Sequence, residues 1–264
     1  MFATEHPEAL VRFGFKFGRG GAHAARTLML AELRRLLEAT PVDAQRLDYR
    51  VAVVENNALD KPTLKARKLS FAHLRDLYAL DPSRCLFRVL RRLWQTEPPS
   101  QPVLALSMAL ARDNLLRLSA PVILGAPQGA QVTRGEMAQR FSDWSEGRLS
   151  AASVVAIAQR VNGTWTQAGF LSGHVTKIRS VPVVTPVNVA FALFLGYLEG
   201  RLARRLFSSA WVRVLDLPEE RLIELTQAAA QRGLLVFRRT GTVMEVRFPD
   251  YLTEKEQEWL SEQA

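Results

Sequence analysis

The segment Val187 to Leu198 reads VNVAFALFLGYL, twelve residues without a charge. It is too short to cross a bilayer as a helix, which takes about 20 apolar residues. It is also too apolar for a surface helix, whose outer face needs polar side chains. A chain carrying it must build enough protein around one helix to cover it on every side. The rest of the sequence fits that demand. Of its 264 residues 48% are hydrophobic and 23% charged, so wholesale disorder is excluded. The length suits one large domain or two small ones. Cys85 is the only cysteine, which rules out an internal disulfide and a multi-cysteine metal site and fits a reducing, cytoplasmic setting. Glu5 and Glu8 stand where a secretory leader would be cationic, and no long apolar stretch follows them.

Helical periodicity dominates. Residues 1–23 are the exception: Phe13, Phe15 and Phe17 alternate with Gly14, Lys16 and Gly18, which predicts an extended, flexible basic arm that lays its rings on the body. It lacks the Gly-Lys-Ser/Thr of a phosphate loop and any Gly-x-Gly-x-x-Gly turn. Helices are then predicted over Ala24–Ala39, over Ala44–Glu55, from an Asp60-Lys61-Pro62 start to Leu80, and from Asp81-Pro82 to Trp94. The next, Val103–Leu118, is mostly apolar and so central. Gly125 to Gln131 reads as a junction, dividing an N-terminal helical domain (24–125) from a C-terminal one (126–264).

In the second half, Thr133-x-x-Glu136 is a capping box opening a helix to Trp144. Ser150–Asn162 and Thr164–Leu171 read as two helices joined by a tight Gly163 turn, a helix-turn-helix in outline. His174–Pro186 is a loop or a short strand pair, and the apolar helix opens at Thr185-Pro186 and extends toward Arg205. A helix from Asp216 to Gly233 precedes two strands, Leu234–Arg238 and Thr242–Phe248, about the turn Arg239-Thr240-Gly241. Helix followed by hairpin with arginines at the tip resembles a winged helix; a plain α+β packing unit has the same outline. Thr253-x-x-Glu256 caps a last helix. The expected fold class is mainly α: a helical bundle with helix-turn-helix elements and a C-terminal winged-helix-like hairpin.

Charge gives the functional lead. The net charge is +9, and it is segregated: residues 61–94 carry +7 and residues 150–216 carry +5, while 217–264 carry −3. A basic, patterned chain attracts polyanions. Lys61, Lys65 and Lys68 fall at helical spacing on one face of the third helix, extended by Arg67 and Arg75, while Leu64, Phe71, Leu74 and Tyr78 form the opposite, core-facing stripe. A solvated surface is the plain alternative; the scarcity of neighbouring acids favours a phosphate backbone. Thr164, Thr166 and Gln167 offer groups for base edges or phosphates, and Lys177, Arg179, Arg238 and Arg239 for the backbone.

Catalytic chemistry is not evident. The four histidines (His6, His23, His73, His174) show no metal-ligand spacing, and no nucleophile elbow occurs. Asp113, in an apolar stretch beside Arg112, reads as a salt bridge or a helix-end contact. Arg84 and Arg88 beside Cys85 could lower its pKa, but no partner base stands out. No catalytic residue, metal or cofactor is expected.

The leucine-rich helix Leu28–Leu37, the motif Asn57-x-Leu59-x-Lys61-x-Thr63, the stretches Gln101-Pro102-Val103-Leu104-Ala105-Leu106 and Ala111-Arg112-Asp113-Asn114-Leu115-Leu116, and Thr164-x-Thr166-Gln167-Ala168-Gly169-Phe170-Leu171 come in an order that resembles the BrxA family, accessory proteins of BREX phage-defence systems. The likeness covers roughly residues 24–200. It implies a non-enzymatic, helical protein that binds double-stranded DNA beside other defence-system proteins. A protein-interaction adaptor and a nucleic-acid enzyme are the rival classes; RNA is disfavoured by the lack of an RNP-type aromatic motif.

Overall fold

The computed structural model describes residues 2, 6–241 and 243–262. Glu5 and the strand start at Thr242 lie outside them. Helices α1 (Pro7–Phe13), α2 (Leu30–Glu38) and α3 (Arg46–Arg50) come first, α3 continuing into a wider helical turn over Val51–Glu55. They lead to α4 (Leu64–Tyr78), α5 (Cys85–Trp94), α6 (Gln101–Arg112) and α7 (Asn114–Gly125). A small sheet follows, interleaved with helices: β1 (Gln131–Val132), α8 (Arg134–Ser145), α9 (Ala151–Gln167), β2 (Leu171–Ser172) and β3 (Lys177–Arg179). The chain closes with α10 (Pro186–Leu198), α11 (Ala203–Phe207), α12 (Ala210–Val214), α13 (Glu219–Gln231), the hairpin β4 (Val236–Thr240) and β5 (Val243–Arg247), and α14 (Glu254–Ser261). The protein is mainly helical, with little β structure.

The charge-free run is α10, and it is covered on every side. Each residue from Val187 to Leu198 except Tyr197 is buried, and the helix packs against α5, α6, α11, α12 and α13. Burying a leucine or phenylalanine stabilises by about 1.5–3 kcal/mol, so this helix is the largest local contributor to the core. That core is one continuous cluster from Leu10 to Tyr251. The arm joins it. Phe13 and Phe15 are buried, Phe17 stacks on Phe15 at 6.1 Å, and Phe2 lies 4.9 Å from Trp211. Its first part is helical (α1) rather than extended, because Gly14, at φ 111°, ends a helix that only begins at Pro7.

Several boundaries differ from expectation for identifiable reasons. The helix expected over Val103–Leu118 breaks at Asp113, whose backbone is extended and whose Oδ1 accepts the Leu116 N–H at 3.1 Å, making it the N-cap of α7. α4 starts at Thr63, whose hydroxyl accepts the Ala66 N–H; Asp60, at φ 53°, stands outside the helix, as does Pro62. Leu64 is 53% exposed instead of facing the core, and the buried stripe of α4 is Leu74, Leu77 and Tyr78. The pair of helices expected about Gly163 is one helix, α9, with Gly163 inside it; a Cβ there would come within 3.3 Å of Thr27 Cγ2. The glycine serves close packing, and the chain reverses at Gly169, φ 87°, instead. The helix-turn-helix read into residues 150–171 is therefore absent. α10 ends at Leu198 and does not reach Arg205.

The first sheet has the order β1-β3-β2, all antiparallel, with Gln131 opposite Ile178 and Leu171 opposite Arg179. The second is a hairpin where one was expected, with Val236 opposite Arg247, but Arg239 and Thr240, read as its turn, belong to β4 and lie opposite Met244 and Val243. Both capping boxes, at Thr133/Glu136 and Thr253/Glu256, are formed.

Candidate nucleic-acid interface

α4 presents its cations to solvent because its buried stripe occupies the other face. Lys65, Lys68 and Arg75 are exposed, and no carboxylate pairs with them among the described residues. Arg75 also lies over the Phe71 ring at 5.9 Å. The other two cations predicted for this face are already engaged, and Lys61 precedes the Thr63 N-cap, so it stands outside α4 and does not share a helical face with Lys65 and Lys68. Lys61 pairs with Glu32 at 3.1 Å. Arg67 is half-buried and turns inward, its guanidinium reaching the Val54 carbonyl at 3.5 Å.

The residues expected on a second helix do not face solvent as a set. Thr164 is 0% exposed, and its Oγ1 lies 2.8 Å from His23 Nε2. Thr166 donates its hydroxyl to Asn162 O at 2.8 Å. Gln167 is exposed, yet its amide accepts the Leu30 N–H and donates to Thr27 Oγ1. Their neighbours on α9 carry the helix into the core, so a base edge cannot reach Thr164.

Arg179 is corrected outright. It is 2% exposed, donates to Ile123 O at 2.9 Å, pairs with Asp216 and lies over the Phe170 ring at 5.4 Å. A guanidinium so committed ties β3 to the body and cannot serve a phosphate. Its neighbour Lys177 is half-buried, donates to Gly173 O at 2.6 Å, and shares a depression of about 550 Å³ with Arg134, Gln159 and His174. Arg238 and Arg239 are exposed on the hairpin, Arg238 opposite Glu245. Arg239 borders a separate depression with Arg204 and Glu219. Lys177, Arg239 and Arg75 thus border three different depressions.

That third depression, of about 540 Å³, has no signature in the sequence. Lys16, Arg46, Arg84 and Arg112 converge on it with Arg75. They come from separate stretches of chain, so no spacing links them. His73 lines it too, its ring held toward the neutral form first by burial and then by Arg26. Asp113 is also more of a hub than its local sequence suggests: it accepts from the His23 N–H at 3.0 Å and from His23 Nδ1 at 2.8 Å. Burial acts to raise its pKa, but the His23 ring and the N–H donors of His23 and Leu116 outweigh it and hold the carboxyl below its ordinary value. The relay Asp113–His23–Thr164 has nucleophile-like order but is sealed from solvent, so it acts as a structural knot.

Cys85 is likewise corrected. Burial pushes its thiol well above its usual pKa, Glu256 adds to that, and Arg88 only partly opposes them. Among the described residues no cluster of His, Cys, Asp or Glu is placed to hold a metal, and no helix is long and apolar enough to cross a membrane. No family model, curated protein or solved structure matches the chain.

Proposed function

We propose that the protein binds duplex DNA without catalysing a reaction on it, mainly through the phosphate backbone, as a cytoplasmic accessory of a BREX-type phage-defence system. The observation that carries this reading is the outer face of α4, where Lys65, Lys68 and Arg75 are exposed and unpaired among the described residues. Cations without local counter-charges are the groups that release counterions from a phosphate backbone.

Chain order adds support. Residues 114–179 run helix, strand, helix, helix, strand, strand with sheet order β1-β3-β2, the order of a winged helix, with α9 in the position of the recognition helix and residues 173–176 at the wing. The outward residues of α9 include Ala151, Ala152, Ser153, Val155 and Gln159, and its one cation, Arg160, is spent on the Ala24 carbonyl. Such a helix reads few bases, in keeping with backbone binding and weak sequence preference. The hairpin β4–β5 after α13 contributes Arg238 and Arg239.

A second reading, a protein-interaction adaptor, draws on one feature. Exposed Leu202 and Val236 border an apolar depression with Tyr197 and Phe248. The deciding experiment is a salt-titrated binding assay on a fluorescent duplex of about 30 base pairs, comparing the wild type with Lys65/Lys68/Arg75→Ala. Binding at low salt that weakens steeply with salt, less steeply in the variant, supports the DNA reading. No binding at low salt overturns it in favour of the adaptor.

A further inference from the structure

The cleft bordered by Lys16, Arg46, Arg75, Arg84 and Arg112 has a charge imbalance that the fold does not resolve. Two acids, Asp76 and Asp81, line it against five Lys and Arg side chains. Asp76 holds the Lys16 ammonium, and Asp81 accepts from the Ser83 N–H at 3.0 Å and the Ser83 hydroxyl at 2.7 Å. Arg46, Arg75 and Arg84 are exposed and have no carboxylate partner among the described residues.

Arg112 is half-buried at the inner side of the same cleft. Its guanidinium is aimed by backbone carbonyls, those of Gly14, of Asp76 at 3.1 Å and of Arg75 at 3.5 Å. Carbonyls orient a guanidinium without neutralising it. Burial lowers its pKa to about 10, Asp76 opposes this, and the positive field of Arg84 adds to it. It stays charged at neutral pH, with like charge beside it.

The wall of the cleft is also strained. Ala79 and Leu80 sit at φ 68° and φ 52°, successive non-glycine residues in the left-handed region, and Ala79 lines the cleft. Such conformations are unfavourable and persist only where the surroundings over-determine them. Here the strained turn is what carries the chain from α4 to Arg84. Guanidinium groups that converge on one cleft, Arg112 held in direction by carbonyls and the others short of counter-charge, match a ligand bearing several adjacent anionic oxygens.

We propose that this cleft binds a small molecule carrying a chain of phosphates, with Arg46, Arg75 and Arg84 closing on it from the mouth and Arg112 meeting it from within. Its size, about 540 Å³, suits a nucleoside triphosphate or a short inorganic polyphosphate. A duplex, by contrast, is too broad to enter and would touch only the exposed arginines. The inference does not depend on the DNA reading.

The test is calorimetric titration of the full chain with ATP, with tripolyphosphate and with adenosine, repeated on Arg46/Arg84→Ala and on Lys65/Lys68→Ala. Melting curves check that each variant is folded. Saturable binding of ATP, of tripolyphosphate or of both is expected, with none for adenosine. Arg46/Arg84→Ala should weaken it roughly 10-fold or more, since each charge-assisted bond contributes appreciably. Lys65/Lys68→Ala should leave it unchanged. ATP binding without tripolyphosphate binding would identify the nucleoside as part of the ligand; equal binding would identify the bare phosphate chain. Absence of saturable binding, or binding that survives in folded Arg46/Arg84→Ala, overturns the proposal. If that variant instead loses only duplex affinity while neither phosphate compound binds, the cleft belongs to the DNA path and the proposal is wrong.

Discussion

His23 and Asp113, 90 residues apart, are joined twice: the His23 backbone N–H and the ring Nδ1 both meet the same carboxylate oxygen, at 3.0 and 2.8 Å. The other oxygen caps α7, and the far side of the ring meets Thr164. One buried carboxylate therefore ties the N-terminal segment, the break between α6 and α7, and α9. Replacing His23 with Ala leaves that charge buried with fewer partners and should destabilise by about 3–5 kcal/mol. Urea denaturation measures it; a cost below about 1 kcal/mol would show that the knot is decorative.

The same carboxyl makes stability depend on pH in a defined direction. Its folded pKa lies below the ordinary value, near 3.9 for an unfolded Asp. Its contribution is therefore fully present above about pH 4 and is lost as pH falls through the folded value. The urea midpoint should drop in that acid window, and Asp113→Asn should flatten the drop while lowering stability at neutral pH. An unchanged acid profile in Asp113→Asn would refute the assignment.

Gly21 is fixed by space, not by backbone conformation. Its φ is −179°, yet a Cβ there would overlap the Asp113 carboxylate. Gly21→Ala should cost about 1–3 kcal/mol or more by forcing the segment off α7. Gly18→Ala and Gly20→Ala, which meet open space, should be close to neutral. Thermal melting of the three variants gives the comparison.

For DNA binding, the positions separate into two groups. Lys65/Lys68/Arg75→Ala should reduce the magnitude of the log–log salt slope by about 2–3, near 0.9 for each phosphate no longer neutralised. Thr164→Val should leave the slope unaltered, because the hydroxyl faces His23. Arg179→Ala should appear as lost stability, not lost affinity, since it removes the donor to Asp216 and to three carbonyls.

Cys85 should be silent toward thiol reagents in the native protein. It is buried, its thiol is pushed up by burial, and its Sγ lies 3.8 Å from Tyr251 O. Modification should occur only at the rate of unfolding, and stopped-flow measurement with and without urea reads this directly.

What could be seen in the sequence followed from local chemistry. Thr133/Glu136 and Thr253/Glu256 announced their helix starts because a capping box acts within four residues. Met244 and Val246 alternated with Glu245 and Arg247 because one face of β5 is buried. Val187–Leu198 could only be central. The failures share a different origin. Asp113 and Gly163 both read locally as features of one helix or of two, and contacts distant in sequence decided otherwise: His23 draws Asp113 into a cap, and Thr27 fits against Gly163. Arg179 looked like every other surface arginine until Asp216 and Phe170 closed over it. The cleft at Arg112 left no linear trace, since Lys16, Arg46, Arg84 and Arg112 share no period.

The burial of α10 sets unequal freedoms for change along the chain. A side chain altered anywhere from Val187 to Gly196 must be accommodated by the helices packed against it, so that stretch should accept few replacements in a random mutational library. Val175, 90% exposed at the tip between β2 and β3, answers to no neighbour and should accept nearly all of them. The pace at which this protein can diversify is therefore written by its middle, and its variety by its edges.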